Sequence, residues 1–138
     1  MATKVTGLGW TTFEVDDAGG PTLRDIRDAL TDVQFSTPRA VQDVTGIDES
    51  ANQRLLLLAD CSFTMNGVFD TSANGAHAVF STVPTTSVLR EILLETNGKT
   101  LTVTGTVLTD YQITRAATGE LTFSVPASNG DGSVPTWS

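Results

Sequence analysis

The side chains able to act as nucleophiles, general acids and bases or metal ligands are few and scattered in this sequence. His77 is its one histidine and Cys61 its one cysteine. A metal centre needs clustered His, Cys, Asp or Glu. No carboxylate stands at ligand spacing around either residue, so no metal ligand is assigned. Nucleophilic catalysis needs a Ser or Cys, a base and an orienting acid. His77 is close in sequence to Ser72 and Ser81, but it lies in a predicted short helix between Ala76 and Ala78, where a lone histidine is structural or simply exposed. Asp43 and the Asp48-Glu49 pair have the acidity of a calcium loop, yet the alternating Asx pattern closed by a bidentate Glu is missing. Gly19-Gly20 runs into Pro21 rather than Gly-Lys-Ser, so there is no phosphate cradle. No two of the sixteen acids stand out as glycosidase carboxylates. No catalytic residue, cofactor-binding residue, cofactor or metal is expected, and a structural role is expected in place of an enzymatic one.

The elements that would carry such a role follow from composition and pattern. A chain of 138 residues fits one domain, 1–138, burying roughly 68% of its unfolded surface in one core. Apolar residues are 39% of the chain, on the low side for a globular protein, and Thr and Ser are plentiful. That suits a β protein with solvated strand faces. Cys61 has no partner for an intramolecular disulfide and sits on the apolar alternate of a strand, as a small buried hydrophobe would. No secretory leader opens the chain, and the longest apolar run, residues 55–59, is too short to span a bilayer. A soluble protein without a membrane anchor is expected. Eight basic residues against sixteen acidic ones give a net charge of −8, and the cations are scattered. This excludes tight nucleic-acid binding, which rests on a basic patch.

Along the chain, residues 1–9 read as a flexible arm and Trp10–Asp16 as the first strand. Asp17, Ala18, Gly19, Gly20 and Pro21 read as a turn. Thr22 is placed to cap a short helical turn bearing Leu23, Ile26 and Leu30. Residues 32–37 form a strand with Val33 and Phe35 on one face, ended by Pro38. Residues 39–53 are polar, with Val41, Val44 and Ile47 as their sparse apolar content. This is a long loop for a connection, and long loops are usually functional. It fits an ordinary surface loop or an arm reaching a neighbouring subunit. Residues 54–66 read as one strand, buried on both sides at its leucine-rich start (Leu55, Leu56, Leu57, Leu58) and half exposed at its end. A helix follows over 73–82, with Ala76, Val79, Phe80 and Val83 on one face and Pro84 stopping it.

Residues 88–96 suit either a helix or a strand. Asn97-Gly98, the strongest short hairpin signal, decides for a strand. The run from Leu101 to Thr114 alternates with period two and is longer than an average strand, with Gly105 marking a bulge or bend. Thr118-Gly119 turns the chain into 121–126, where Leu121, Phe123 and Val125 face inward. Residues 127–138 are a polar tail ending near Trp137, which docks on its own domain or on a neighbour. The sum is a mainly β, sandwich or barrel-like fold with one short packed helix.

The order of these segments resembles the major tail (tail-tube) proteins of long-tailed bacteriophages. The resemblance covers nearly the whole chain. It is carried by the early strand ending near Val15, the strand closed by Pro38, and the loop Val41-Gln42-Asp43-Val44-Thr45-Gly46-Ile47-Asp48-Glu49-Ser50-Ala51. It continues through Asn66-Gly67-Val68-Phe69-Asp70, Ala76-His77-Ala78-Val79-Phe80 and Val107-Leu108-Thr109-Asp110-Tyr111. No single marker is specific; their order and spacing are. The chain shows no appended C-terminal immunoglobulin-like domain of the kind some members carry, and so looks like the bare tube-forming core.

The resemblance implies a structural virion protein of the viral tail, assembled in the host cytoplasm. Six copies close into a ring in which each lends part of a sheet to a barrel around a lumen. Rings stack head to tail into a tube, meet other tail proteins at the tube ends, and conduct double-stranded genomic DNA from capsid to host. The inter-subunit contacts implied are those of the long loop, at Val41, Val44, Ile47 and Asp48. Asp60 and Asp110, each read on the polar alternate of a strand, are the candidates to face the lumen. An acidic or neutral lumen lets duplex DNA slide, whereas a basic one would hold it by counterion release. The alternative is a β-rich virion binding or decoration module.

Overall fold

The computed structural model describes residues 4–17 and 22–138; the turn read at 17–21 falls largely outside them, as do the first three residues of the arm. The strands in chain order are β1 (Trp10–Asp16), β2 (Leu23–Asp25), β3 (Leu30–Ser36), β4 (Arg39–Asp43), β5 (Arg54–Ala59) and β6 (Ser62–Val68). After helix α1 (Ala76–Phe80), the one α-helix among the described residues, come β7 (Arg90–Thr96), β8 (Lys99–Leu108), β9 (Gln112–Arg115), β10 (Leu121–Asn129) and β11 (Thr136–Trp137). The main sheet runs β2-β1-β7-β8-β10-β6-β3, with β11 added to β8 and β9 added to β10, and all its pairs are antiparallel. Strands β4 and β5 form a separate two-stranded hairpin.

Alternation builds the core. Phe13 and Val15 of β1, Ile92 and Leu94 of β7, Leu101 and Val103 of β8, and Phe123 and Val125 of β10 are all buried in one cluster with Phe63 and Met65 of β6. The sheet therefore curls around a single interior, in the sandwich or barrel-like manner expected. Helix α1 closes it with Ala76, Val79 and Phe80, and Phe80 packs against Phe123 at 5.6 Å between ring centroids. Asn97 and Gly98 have φ of 52° and 80°, both positive as a type I′ hairpin turn requires. Register slips by one residue between Arg90↔Thr106 and Ile92↔Val103, a bulge at the expected Gly105.

Five expectations are corrected. The helical turn after Thr22 is instead the short strand β2, paired to β1 through Glu14↔Asp25, followed by a turn in which Ala29 N donates to Ile26 O. The spacing of Leu23, Ile26 and Leu30 serves both conformations, and tertiary pairing wins. The loop at 39–53 is not irregular throughout, because 39–43 is β4. The strand at 54–66 breaks at Asp60-Cys61 into β5 and β6, and its start is exposed rather than buried. The run at 101–114 breaks at Thr109, Asp110 and Tyr111, where Tyr111 turns to pack on Phe80 and Phe123. The tail at 127–138 is partly strand: β10 continues to Asn129, and β11 pairs Trp137 with Leu101. Trp137 thus packs on its own chain, its ring 6.0 Å from that of Phe35.

One arginine lies inside this core. Arg90 is 2% exposed. Its Nη1 donates to Val79 O at 2.6 Å and its Nη2 to Thr82 Oγ1 at 2.7 Å, while Thr106 Oγ1 donates to Arg90 O at 2.7 Å. Burial lowers the guanidinium from its ordinary range, against the pull of the Asp16 and Asp17 carboxylates. The side chain fastens the end of α1 to β7 and supplies donors that the chain after the helix would otherwise lack.

Candidate assembly surface

The β4–β5 hairpin stands away from the core. Every residue of β4 and all of β5 but Ala59 are exposed. Val41 faces Leu56 and Gln42 faces Leu55, so both faces of the ribbon carry apolar side chains. Leu58 is 86% exposed, and Ile47 at the tip is fully exposed. The ribbon is nonetheless ordered by local chemistry. Arg39 Nε and Nη2 both donate to Leu57 O, at 3.1 and 2.9 Å. At the far end Thr45 Oγ1 donates to Asp43 Oδ1 at 2.6 Å and accepts from Gln53 N at 2.7 Å, while Val44 N donates to Gln53 O at 2.9 Å. Hydrogen bonds from the Thr45 hydroxyl and amide hold the Asp43 carboxyl below its ordinary value. A rigid ribbon with this much exposed leucine is the kind of patch that marks a protein–protein contact.

A second feature is a four-stranded part of the main sheet, ordered β3-β6-β10-β9. Strand β9 pairs with β10 on the side away from β6. Among the described residues no backbone hydrogen bond is made on the outer side of β3 or of β9. Both ends of this part are therefore open edges, which a solitary chain leaves as templates for pairing. Its inner face is the core over β6 and β10, whereas β9 is exposed on both faces. Its outer face is mostly polar, with Val68 exposed on it, and one row crosses all four strands: Asp32, Asn66, Ser124 and Gln112. A parallel row joins Gln34, Thr64 and Pro126.

Of the expected contact residues, Val41, Val44, Ile47 and Asp48 all lie exposed on the hairpin and its tip. Asp60 and Asp110 are exposed as well, but each sits in a break between strands rather than within one. Asp60 Oδ1 accepts from Cys61 N at 2.8 Å and lies beside Pro38, Arg39 and Leu58. Asp110 lies in a hollow with His77, Ser81, Val83 and Tyr111. The fold does not bring the two carboxylates together. In that hollow, His77 Nδ1 is 3.2 Å from Tyr111 Oη, and the His77 ring also packs at a tilt against Phe69, 4.8 Å between centroids, a packing role. Cys61 is buried, and burial raises its thiol. Among the described residues no group of His, Cys, Asp and Glu is arranged to hold a metal, and no helix is long and apolar enough to cross a membrane.

Pattern reading missed the open edges and the exposure of Leu55, Leu56, Leu57 and Leu58. The leucines carried a signal: a strand apolar on both faces is either enclosed by its own chain or covered by another.

The same fold occurs in solved structures. The chain superposes on a chain of the tail of an empty gene transfer agent particle with C6 symmetry at a TM-score of 0.77 and 14% identity, covering 98% of this chain and 99% of that one. A chain from the virion of the native gene transfer agent gives 0.76 and 14%, with 98% and 99% covered. One from the six-fold symmetrised baseplate of the anti-feeding prophage gives 0.70 and 11%, with 100% and 97% covered. No protein-family model matches the sequence, and a search of curated proteins finds no match. At these identities the likeness is one of fold, shared with chains of tail, virion and baseplate particles.

Proposed function

We propose that this chain, which carries the tail-tube fold, is a structural subunit of a phage-type tail: six copies close into a ring, and rings stack into a hollow tube in the virion that conducts double-stranded DNA. The observation that carries the reading is the pair of open edges, β3 and β9, at opposite ends of one four-stranded sheet part. Because neighbours alternate in direction across four strands, β3 and β9 run opposite ways. Copies related by rotation about an axis along the strands then present β9 of one to β3 of the next in antiparallel register. The joint continues the ladder that already runs inside each copy, and ring closure removes both of these edges. The six-fold symmetry of the solved tail and baseplate relatives supports six as the copy number.

The hairpin supplies a contact between copies. Val41, Ile47 and the leucines of β5 gain on the order of 1.5–3 kcal/mol each where a neighbour covers them fully. Asp48, beside Ile47 at the tip, is carried to the same contact. Repeated head-to-tail use of such a surface does not close on itself and so extends a filament, with other tail proteins capping its ends. Two of the relatives belong to gene transfer agent particles, and this supports nucleic acid as the cargo. The proposed role needs no chemistry from the chain.

Deleting residues 44–50 tests the contact. The shortened protein stays folded and soluble, since residues 44–50 lie outside the buried cluster, and fails to form tubes. Tubes of normal length from the deleted protein would refute the hairpin's part.

A further inference from the structure

We infer that Asn97 is a site of spontaneous deamidation in the folded protein, and that the change releases the segment ahead of β1 for good. Asparagine followed by glycine is the step at which a backbone nitrogen most readily attacks a side-chain amide, because glycine puts no Cβ in the way. The chain has five asparagines, and four of them, Asn66, Asn74, Asn97 and Asn129, precede glycine. The fold treats these four steps differently.

The attacking atom is the glycine nitrogen, which is restrained wherever its N–H is donated elsewhere. Gly75 N donates to Ser72 O at 3.0 Å, and Gly130 N donates to Gly105 O at 3.0 Å. Gly67 is buried within the ladder, opposite Phe123 on one side and Leu30 on the other. The side chains of two of the asparagines are held as well: Asn66 Nδ2 donates to Asp32 Oδ2, and Asn129 both donates to Ser133 O and accepts from Gly132 N. Gly98 is the exception. The pair Thr96↔Lys99 closes the turn around Asn97 and Gly98, which leaves the Gly98 N–H outside the ladder. Among the described residues it has no acceptor, and Asn97 and Gly98 are both exposed.

The reaction balances with water alone. Gly98 N bonds to Asn97 Cγ, the Cγ–Nδ2 bond breaks, and Nδ2 departs as ammonia with the proton lost from Gly98 N. Water then opens the cyclic imide at either carbonyl. Breaking the bond to Cγ leaves aspartate. Breaking the bond to the Asn97 backbone carbonyl leaves isoaspartate, in which the chain runs through the side chain and is one atom longer.

The consequence follows from the donor that is lost. Asn97 Nδ2 donates to Thr6 O at 3.3 Å and to Thr96 Oγ1 at 2.9 Å. A carboxylate has no proton to donate, so it meets Thr6 O as one acceptor meets another. The isoaspartate form also lengthens the turn, and the bond from Asn97 N to Gly9 O goes with it. These same bonds restrain the carboxamide before it reacts. The contact with 6–9 therefore sets the rate, and the product cannot restore the contact.

Incubation of the full chain at mildly alkaline pH, followed by peptide mapping and enzymatic methylation of isoaspartate, tests the site. Asn97 is expected to convert at least about tenfold faster than Asn66, Asn74 or Asn129, each of which must first give up a hydrogen bond. In denaturant the four rates converge. Equal rates in the folded protein, or no conversion at Asn97, would overturn the assignment. The release has its own test. Asn97→Asp is expected to speed tryptic cleavage after Lys4, and Gly9→Ala, which crowds the carboxamide, to speed conversion at Asn97 alone. Cleavage of Asn97→Asp at the unaltered rate would overturn the release, and unaltered conversion in Gly9→Ala would overturn the control of the rate by 6–9.

Discussion

Gly9 lies against the side-chain amide of Asn97 with no room for a Cβ between them. Asn97 N donates to Gly9 O at 2.9 Å, and Asn97 Nδ2 reaches Thr6 O at 3.3 Å. The turn joining β7 and β8 therefore clips the segment ahead of β1, so that 6–9 is held rather than free. Gly9→Ala should displace the clip at a cost of about 1–3 kcal/mol by overpacking. Thermal denaturation and proteolysis after Lys4 report it; unchanged stability and unchanged cleavage would show that the segment is not clipped.

The same turn depends on the positive φ of Gly98. Gly98→Val puts a β-branched side chain where it is strained and should cost on the order of 1–3 kcal/mol. A denaturation midpoint equal to that of the unaltered protein would contradict the turn type.

Arg90 offers a sharper test of the core. Arg90→Ala leaves Val79 O and the Thr82 hydroxyl without their buried donors and opens a void, so a loss of roughly 3 kcal/mol or more is expected. Chemical denaturation should show the midpoint falling, with Arg90→Lys recovering part of the loss. A change within experimental error for Arg90→Ala would mean that the helix end does not need its fastening.

Two carboxylates respond to pH with opposite sign. Asp43 is held below its ordinary value of 3.8 by Thr45. Its contribution is therefore fully present above pH 3.8 and lost as pH falls through the lowered value. An NMR titration of the Thr45 amide should have its midpoint below 3.8. Asp16 is raised above 3.8, chiefly by burial and then by Asp17, and its Oδ1 has no hydrogen-bond partner among the described residues. It therefore costs stability as pH rises through the carboxylate range, and Asp16→Asn should raise the melting temperature at neutral pH. Midpoints in the reverse order would refute both assignments.

How much of this was legible in the sequence depends on whether a residue's partner is local. Asn97-Gly98 specifies its own turn, and Phe13 and Val15 or Ala76, Val79 and Phe80 reveal a face by period alone, so those elements are legible, although the helix is Ala76–Phe80 and shorter than the 73–82 expected. Leu23, Ile26 and Leu30 satisfy two periods at once, and only the pairing of β2 with β1 decides between them. Leu55 through Leu58 are apolar on both faces, and nothing in the chain says whether the cover is its own core or a second copy. The open edges of β3 and β9 have no sequence mark, because an unpaired edge is a property of strand order.

The central claim is assembly, and electron microscopy of the purified, concentrated protein tests it most directly. Hollow tubes built of rings, with six-fold end views, are the predicted result. Compact monomers or trimers at every concentration would contradict it and favour a decorating virion module.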